Sequence, residues 1–318
     1  MQDSYGRKIE YLRLSVTDAC NLRCSYCMPD GAPAACSCKH NLSADEFEEI
    51  VRAAVSLGVK KLRITGGEPL VRNDIVSLCR RLSSIEGIED FSMTTNASLL
   101  APIAKELYDA GLHRINISLD TLDAAKYAEI TRGGKLSDAV RGIRAAMEAG
   151  MKPVKLNTVL IGGFNDDEIV SLANLTRLYP VDVRFIELMP IGDNIPFAKE
   201  AFIKNSTVLE KCPDLIPAEG EKGAVAKMYR FPDGKGRVGL ISPLSNHFCA
   251  ECSRLRLTAD GCLKPCLHSA DEISVRGLHG DELKERILTA VSRKPKMHVE
   301  LSATEHSKSQ RNMYRIGG

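Results

Sequence analysis

The sequence predicts an α/β protein: a partial, open β/α barrel of about six units, followed by a smaller C-terminal region. Three observations carry this. An amphipathic helix, a glycine and an apolar strand recur as VRAAVSLGVKKLRITGG, IAKELYDAGLHRINISLD and IRAAMEAGMKPVKLNTVLIGG. Runs rich in Val, Ile and Leu fall near residues 9–16, 60–65, 88–94, 113–119, 153–161 and 181–187. After about residue 190 the alternation stops and short strand-like pieces with turns follow.

Each element has a local cause. Ser43 with Glu46 forms a capping box that starts the first helix. Gly58, Gly111 and Gly150 stand where a helix C-terminus takes a left-handed residue. Strands alternating with helices imply a parallel sheet, and in parallel barrels chemistry gathers at the C-terminal strand ends. Strand one runs into a cysteine triplet and strand two into Gly66-Gly67-Glu68-Pro69. Strand three runs into Thr94-Thr95-Asn96, and strand four ends at Ser118-Leu119-Asp120. Strand five carries Lys155 and Asn157; strand six carries Arg184, Glu187 and Met189. Polar groups are thus expected to converge on one rim. Residues 1–240 read as the barrel and 241–318 as a closing region with a helix near 280–291 and a polar tail ending Gly317-Gly318.

Composition narrows the class. The 318 residues carry a formal net charge of +2, which gives no general attraction to nucleic acid. No apolar run approaches the roughly 18–20 residues that span a bilayer, and MQDSYGRKIEY has no secretory core, so a cytoplasmic protein is expected. In that reducing compartment, 11 cysteines favour metal ligation over disulfides.

Cys20-x3-Cys24-x2-Cys27 is the strongest motif. Three thiolates can hold three irons of a 4Fe–4S cluster and leave the fourth open to an outside ligand. A structural zinc would need a fourth protein ligand, for which Cys36, Cys38 and His40 are the nearest candidates. Cys36 and Cys38 otherwise read as an incidental thiol pair or a redox- or metal-sensitive flap. A second set is Cys249-x2-Cys252-x13-Cys266, with Cys262 a rival third ligand. Its alternative is a zinc ribbon completed by Cys262 or His268. Arg254 and Arg256 alternate on one strand, so both guanidiniums face one side and suit an anion; the alternative is two solvated charges. Gly234-Lys-Gly-Arg-Val-Gly239 fits a dinucleotide pattern, but it follows a turn and leads into a strand, so it reads as a hairpin connection. Cys79 falls on a helix core face and Cys212 in a loop.

The first triplet, with Tyr26 before its last cysteine, and the GGEP stretch resemble the radical S-adenosylmethionine (SAM) superfamily. Both triplets, the Arg254-Leu255-Arg256 pair and the Gly-Gly end together resemble the GTP 3′,8-cyclase family of molybdenum cofactor biosynthesis, from Arg13 to Gly318. The resemblance implies a lyase with two 4Fe–4S clusters and SAM. Cys20, Cys24 and Cys27 would hold one cluster and Cys249, Cys252 and Cys266 the other. Tyr26, Gly66, Gly67, Glu68, Ser118 and Met189 would meet SAM. Arg13, Lys61, Arg63, Thr94, Lys155, Arg184, Arg254, Leu255 and Arg256 would meet GTP, and Arg254, Arg256, Gly317 and Gly318 would serve catalysis.

The implied reaction converts GTP to (8S)-3′,8-cyclo-7,8-dihydro-GTP, a 5′-deoxyadenosyl radical taking hydrogen from C3′. Implied partners are a flavodoxin- or ferredoxin-type electron donor, a second copy in a homodimer, and cyclic pyranopterin monophosphate synthase, which takes the product. Ala97 stands where the family usually has glycine, so the backbone there is expected to differ. Rival readings are another two-cluster radical SAM enzyme of the peptide-maturase type, or a non-enzymatic iron–sulfur or zinc protein.

Overall fold

The structure is a computed structural model that describes residues 1–28, 41–220, 225–298 and 306–317. Strand–helix units come first: β1 (Tyr11–Ser15), α1 (Ala44–Ser56), β2 (Lys61–Thr65), α2 (Ile75–Ser83), β3 (Asp90–Thr95), α3 (Ala104–Asp109) and β4 (Arg114–Ser118). The chain continues through α4 (Ala124–Thr131), α5 (Leu136–Glu148), β5 (Val154–Leu160), α6 (Ile169–Leu178) and β6 (Val181–Glu187). Two short helices, α7 (Ile195–Glu200) and α8 (Ser206–Lys211), precede β7 (Ile216–Pro217), β8 (Lys227–Arg230) and β9 (Val238–Ile241). The C-terminal part holds β10 (Arg254–Leu257), β11 (Cys262–Lys264), β12 (Ile273–Ser274), α9 (Gly280–Ser292) and α10 (Met313–Ile316).

All these strands form one sheet, ordered β12-β11-β10-β1-β2-β3-β4-β5-β6-β9-β8-β7. The six expected strands are its centre, in sequence order. Beyond the sequence reading, the parallel run continues at both edges: β9 pairs parallel with β6, and β10 with β1. Both stretches read as strands in the sequence, but neither follows a single βα unit, so local periodicity carried no sign of their parallel pairing with β6 and β1. β9 is reached through two short helices and a hairpin, and β10 through the second cysteine loop. The Gly234–Gly239 stretch lies between β8 and β9, which pair antiparallel, as a hairpin connection must.

The local signals act as expected. Ser43 and Glu46 cap α1 reciprocally. Gly58, Gly111 and Gly150 follow helices with φ of 103°, 93° and 91°. Ala97 is the surprise. It takes φ 60°, the left-handed region that glycine normally fills, so the backbone adopts the glycine conformation with a methyl on it.

Strand faces divide by chemistry. Leu12, Leu14, Leu62, Ile64, Met93, Ile115 and Ile117 are buried in the continuous core that also includes residues of α1, α2 and α5. The alternate residues, including Arg13, Arg63, Thr94, Ser118, Lys155 and Arg184, line a cavity. Parallel strands covered on both faces normally read as unbroken apolar runs. Apolar–polar alternation in a parallel sheet therefore marks a face reserved for a ligand. Cys79 is buried on α2, and Cys212 lies in the connection that follows α8, as expected, with its side chain buried.

Candidate active site

One cavity of about 430 Å³ is lined by both cysteine triplets and by the inward residues of β1–β6 and β10. Register places the triplets at opposite ends of it. β10 runs parallel to β1, with Arg254 opposite Tyr11 and Arg256 opposite Arg13. Cys20, Cys24 and Cys27 follow the C-terminal end of β1, while Cys249 and Cys252 precede the N-terminal end of β10. β11 runs back antiparallel, pairing Lys264 with Arg256, so Cys266 returns to the Cys252 end. Cys262 is left at the other end of β11 and does not line the cavity, whereas Cys266 does. The single rim expected from the sequence is thus a cavity with two ends, about 13 Å apart over the span of β1 at about 3.3 Å per residue.

At the first end, Gly67 N donates to Thr17 O at 2.8 Å and Glu68 N to Ala19 O at 2.8 Å. A Cβ on Gly67 would lie 2.4 Å from Ala19 O, and one on Gly66 2.7 Å from Thr17 O. These glycines therefore let the β2 loop close against the cysteine loop, a role besides the approach to ligand. Glu68 is buried and accepts from Leu70 N (3.0 Å), Thr95 Oγ1 (2.6 Å) and Asn96 N (2.7 Å). Burial still pushes its carboxyl up to about 7. Tyr26 Oη donates to Asp120 Oδ2 at 2.7 Å, and Val159 N donates to Asp120 Oδ1 at 2.9 Å. Burial raises Asp120 to about 6.

The three cysteines here form no disulfide. Burial pushes Cys20 up to about 11 and Cys27 to about 12, and raises Cys24 well above its usual value, with neighbouring thiols and Asp120 adding to Cys24. Such a set ionises only when a strong cation takes the sulfurs, as iron does. Among the described residues no three His, Cys, Asp or Glu side chains are placed to share one ion. An iron–sulfur cluster spreads its thiolates over separate irons, so the donor set fits a cluster. Cys36 and Cys38 lie outside the described residues.

Between the two ends lie rows of cations. Arg256, Arg13 and Arg63 are adjacent in register, followed by Ser92. The next row holds Arg254, Tyr11, Lys61 and Asp90. Neighbouring strands lie about 4.8 Å apart, so like charges are forced together. Burial, then the charge of Arg256, drives the Arg13 guanidinium well below its ordinary range. Burial, then Arg254, lowers Arg256 to about 10. Arg63 Nε donates to Ser92 Oγ at 3.1 Å and Arg256 Nη1 to Gly317 O at 2.7 Å, both neutral acceptors. Tyr11 Oη, Thr94 Oγ1, Asn157 Oδ1 and His268 Nδ1 are buried on the same lining without a hydrogen-bond partner. Crowded cations and orphaned polar atoms together describe a site for a polyanion with hydrogen-bonding groups.

A sequence model of the radical SAM superfamily matches residues 14–176, and one of the molybdenum cofactor synthesis C-terminal region matches residues 181–300. The chain is 50% identical over 323 residues to the GTP 3′,8-cyclase of Alkaliphilus oremlandii, covering 100% of both chains. It is 48% identical over 328 residues to that of Pelotomaculum thermopropionicum, again covering 100% of both. The chain belongs to the GTP 3′,8-cyclase family of the radical SAM superfamily. Among solved structures, Streptococcus suis SuiB bound to S-adenosylmethionine superposes with a TM-score of 0.64 at 16% identity, over 89% of this chain and 68% of that one. That likeness is one of fold.

The residues that the family resemblance singled out fall as follows. Tyr26, Gly66, Gly67, Glu68, Ser118 and Met189 line the cavity, as do Arg13, Lys61, Arg63, Thr94, Lys155, Arg184, Arg254 and Arg256. Leu255 does not: strand alternation turns its side chain into the core, fully buried, so only its backbone can meet a ligand. Gly317 sits behind Arg256, and Gly318 lies outside the described residues. Tyr11, Lys294 and His298 also line the cavity but were not among the expected site residues, whereas Asp120 was expected on the rim without a stated role. Tyr11 could have been found, because it precedes Arg13 by two on one strand. Lys294 and His298 come from the segment after α9, where no periodicity points inward.

Proposed function

We propose that the chain performs the reaction of its family, joining C3′ of the GTP ribose to C8 of guanine. The single observation that carries this is one cavity with a three-cysteine loop at each end and buried arginines between. In this reading, Cys20, Cys24 and Cys27 hold a 4Fe–4S cluster that, with SAM bound, supplies the 5′-deoxyadenosyl radical. Gly66, Gly67 and Glu68 receive the methionine end of SAM, and Tyr26, held by Asp120, sets the wall of that pocket together with Ser118 and Met189. Cys249, Cys252 and Cys266 hold the second cluster and meet the guanine end. Lys61, Lys155, Arg13, Arg63, Arg184 and Arg256 neutralise the triphosphate, a task that falls to side chains here because the chain has no phosphate-cradling glycine loop. Gly317 fixes Arg256 by its carbonyl.

Positioning is the work of these residues. A carbon radical reacts with whatever hydrogen is nearest, so the ribose must be held with C3′ toward the first cluster and C8 within reach. A peptide substrate, as in a maturase, gives no reason for a row of three adjacent guanidiniums, Arg256 buried and Arg13 and Arg63 half-buried. The reading carries with it residues 1–240 as the barrel and 241–318 as the second-cluster region. It also carries a flavodoxin- or ferredoxin-type electron donor, a cytoplasmic homodimer, and cyclic pyranopterin monophosphate synthase as the consumer of product. The test is anaerobic: reconstituted protein, reductant and SAM, with and without GTP. GTP should stimulate formation of 5′-deoxyadenosine and yield the cyclised nucleotide. SAM cleavage that ignores GTP would refute the assignment.

A further inference from the structure

We propose that Lys294 is a positioning residue of the second iron–sulfur site: its buried ammonium ties together the chain segments carrying Cys252 and Cys266 and gives their cluster its positive counter-charge. The inference rests on reading Cys249, Cys252 and Cys266 as cluster ligands.

Lys294 follows α9 and is only 4% exposed. Its Nζ donates to Arg254 O at 2.8 Å and to Pro265 O at 2.8 Å. Arg254 stands two residues after Cys252, and Pro265 immediately precedes Cys266. The third cysteine is tied to the same strap from the other side. Arg7 donates to Pro295 O (2.6 Å) and Lys296 O (2.9 Å), and also to Cys249 O at 2.8 Å. Asp3 holds Arg7 at 2.6 Å. The three segments bearing the second triplet therefore meet on one stretch, Lys294-Pro295-Lys296.

Charge makes Lys294 more than a strut. Burying an ammonium costs several kcal/mol unless an anion compensates it. Two carbonyls use two of its three donors, and among the described residues no carboxylate bonds it. Lys294 lines the same cavity as Cys249, Cys252 and Cys266, and its two carbonyl partners hold its ammonium between the segments that carry Cys252 and Cys266. The anion that completes Lys294 is thus the thiolate-bound cluster. A 4Fe–4S core with three thiolates is anionic and becomes more so on reduction, so a fixed cation favours the reduced form.

The experiment is an anaerobic redox titration, followed by electron paramagnetic resonance, of the reconstituted full chain as wild type, Lys294→Met and Lys294→Arg, with iron and sulfide counted. Wild type should hold two clusters. Lys294→Met should keep its far-UV spectrum and either shift the second cluster's midpoint to more negative potential, leaving the first unmoved, or lose the second cluster's iron. Lys294→Arg, which keeps the charge, should restore either property. If Lys294→Met does not fold, Lys294→Gln, neutral but still a donor, gives the same readout. Full iron with an unmoved second midpoint, or a loss of iron that arginine does not restore, overturns the proposal. Wild type that binds only one cluster would refute the reading of the second triplet instead.

Discussion

Arg256 Nη1 donates to the carbonyl of Gly317 at 2.7 Å, so the last described residue of the chain is anchored on a guanidinium in the middle of the barrel. The tail reaches this point through Arg311, which is paired with Glu272 and Asp260, and through Asn312, which is bonded to Asp193. Gly317 has φ 77°, and a Cβ there would lie 2.2 Å from Thr65 Oγ1. Gly317→Ala should therefore cost about 1–3 kcal/mol locally, enough to displace the tail from Arg256. Cyclisation should fall about tenfold or more, while reductive cleavage of SAM, at the other end of the cavity, persists. Equal losses of both activities would show that the tail has no separate role toward substrate.

Gly67 faces a backbone carbonyl that cannot yield. With Ala19 O at 2.4 Å from the position of a Cβ, Gly67→Ala should push the GGEP loop away from the cysteine loop. We expect destabilisation of about 1–3 kcal/mol and impaired retention of the first cluster, with the second retained. Chemical melts and iron counts check this together.

Glu68 gives the apo protein a pH signature. Its folded carboxyl sits at about 7 against 4.5 for an ordinary glutamate, because burial outweighs three donors. The folded chain thus keeps a proton that the unfolded chain has released between those values. Stability from this group is full below the lower value and is lost as pH rises through the upper one, by up to about 3 kcal/mol. Between about pH 5 and about pH 8, wild type should lose more stability than Glu68→Gln. Parallel urea-melt profiles would contradict this.

Arg63 carries charge at the expense of the empty fold. Removing it as Arg63→Met should weaken GTP binding by about 1.5–3 kcal/mol, roughly ten- to a hundredfold. The apo protein should melt no lower than wild type, since repulsion from Arg13 is relieved while only a bond to Ser92 and a contact with the Tyr11 ring are lost. A clear drop in melting temperature would mean that the guanidinium row is stabilising by itself.

The central strands, their order and the inward polar residues were legible because β1–β6 alternate locally with helices and with residue faces. Lys155 and Arg184 could be placed by strand position, whereas Arg13 and Arg63 entered through the family resemblance. β9 and β10 could be read as strands, but not as neighbours of β6 and β1, since that pairing is a matter of long-range register. Which of Cys266 and Cys262 reaches the cavity also needed register: the direction of β11 sets it, and spacing does not. Leu255 shows the converse limit, because a motif read as a unit concealed the strand alternation that buries its middle residue. Ala97 takes the left-handed conformation, which no local pattern reports, and α5 packs against it so closely that a Cβ on Gly142 would lie 2.2 Å from its carbonyl. Lys294 and Arg7 act through backbone carbonyls, which no side-chain pattern reports.

The account's central claim is that SAM and GTP meet in one cavity with C3′ of the ribose toward the first triplet. Place deuterium at C3′ of GTP, react it with the reconstituted protein, reductant and SAM, and analyse the 5′-deoxyadenosine by mass. The account predicts that the deuterium appears in 5′-deoxyadenosine. Label retained in the nucleotide, with unlabelled 5′-deoxyadenosine formed beside it, would contradict it.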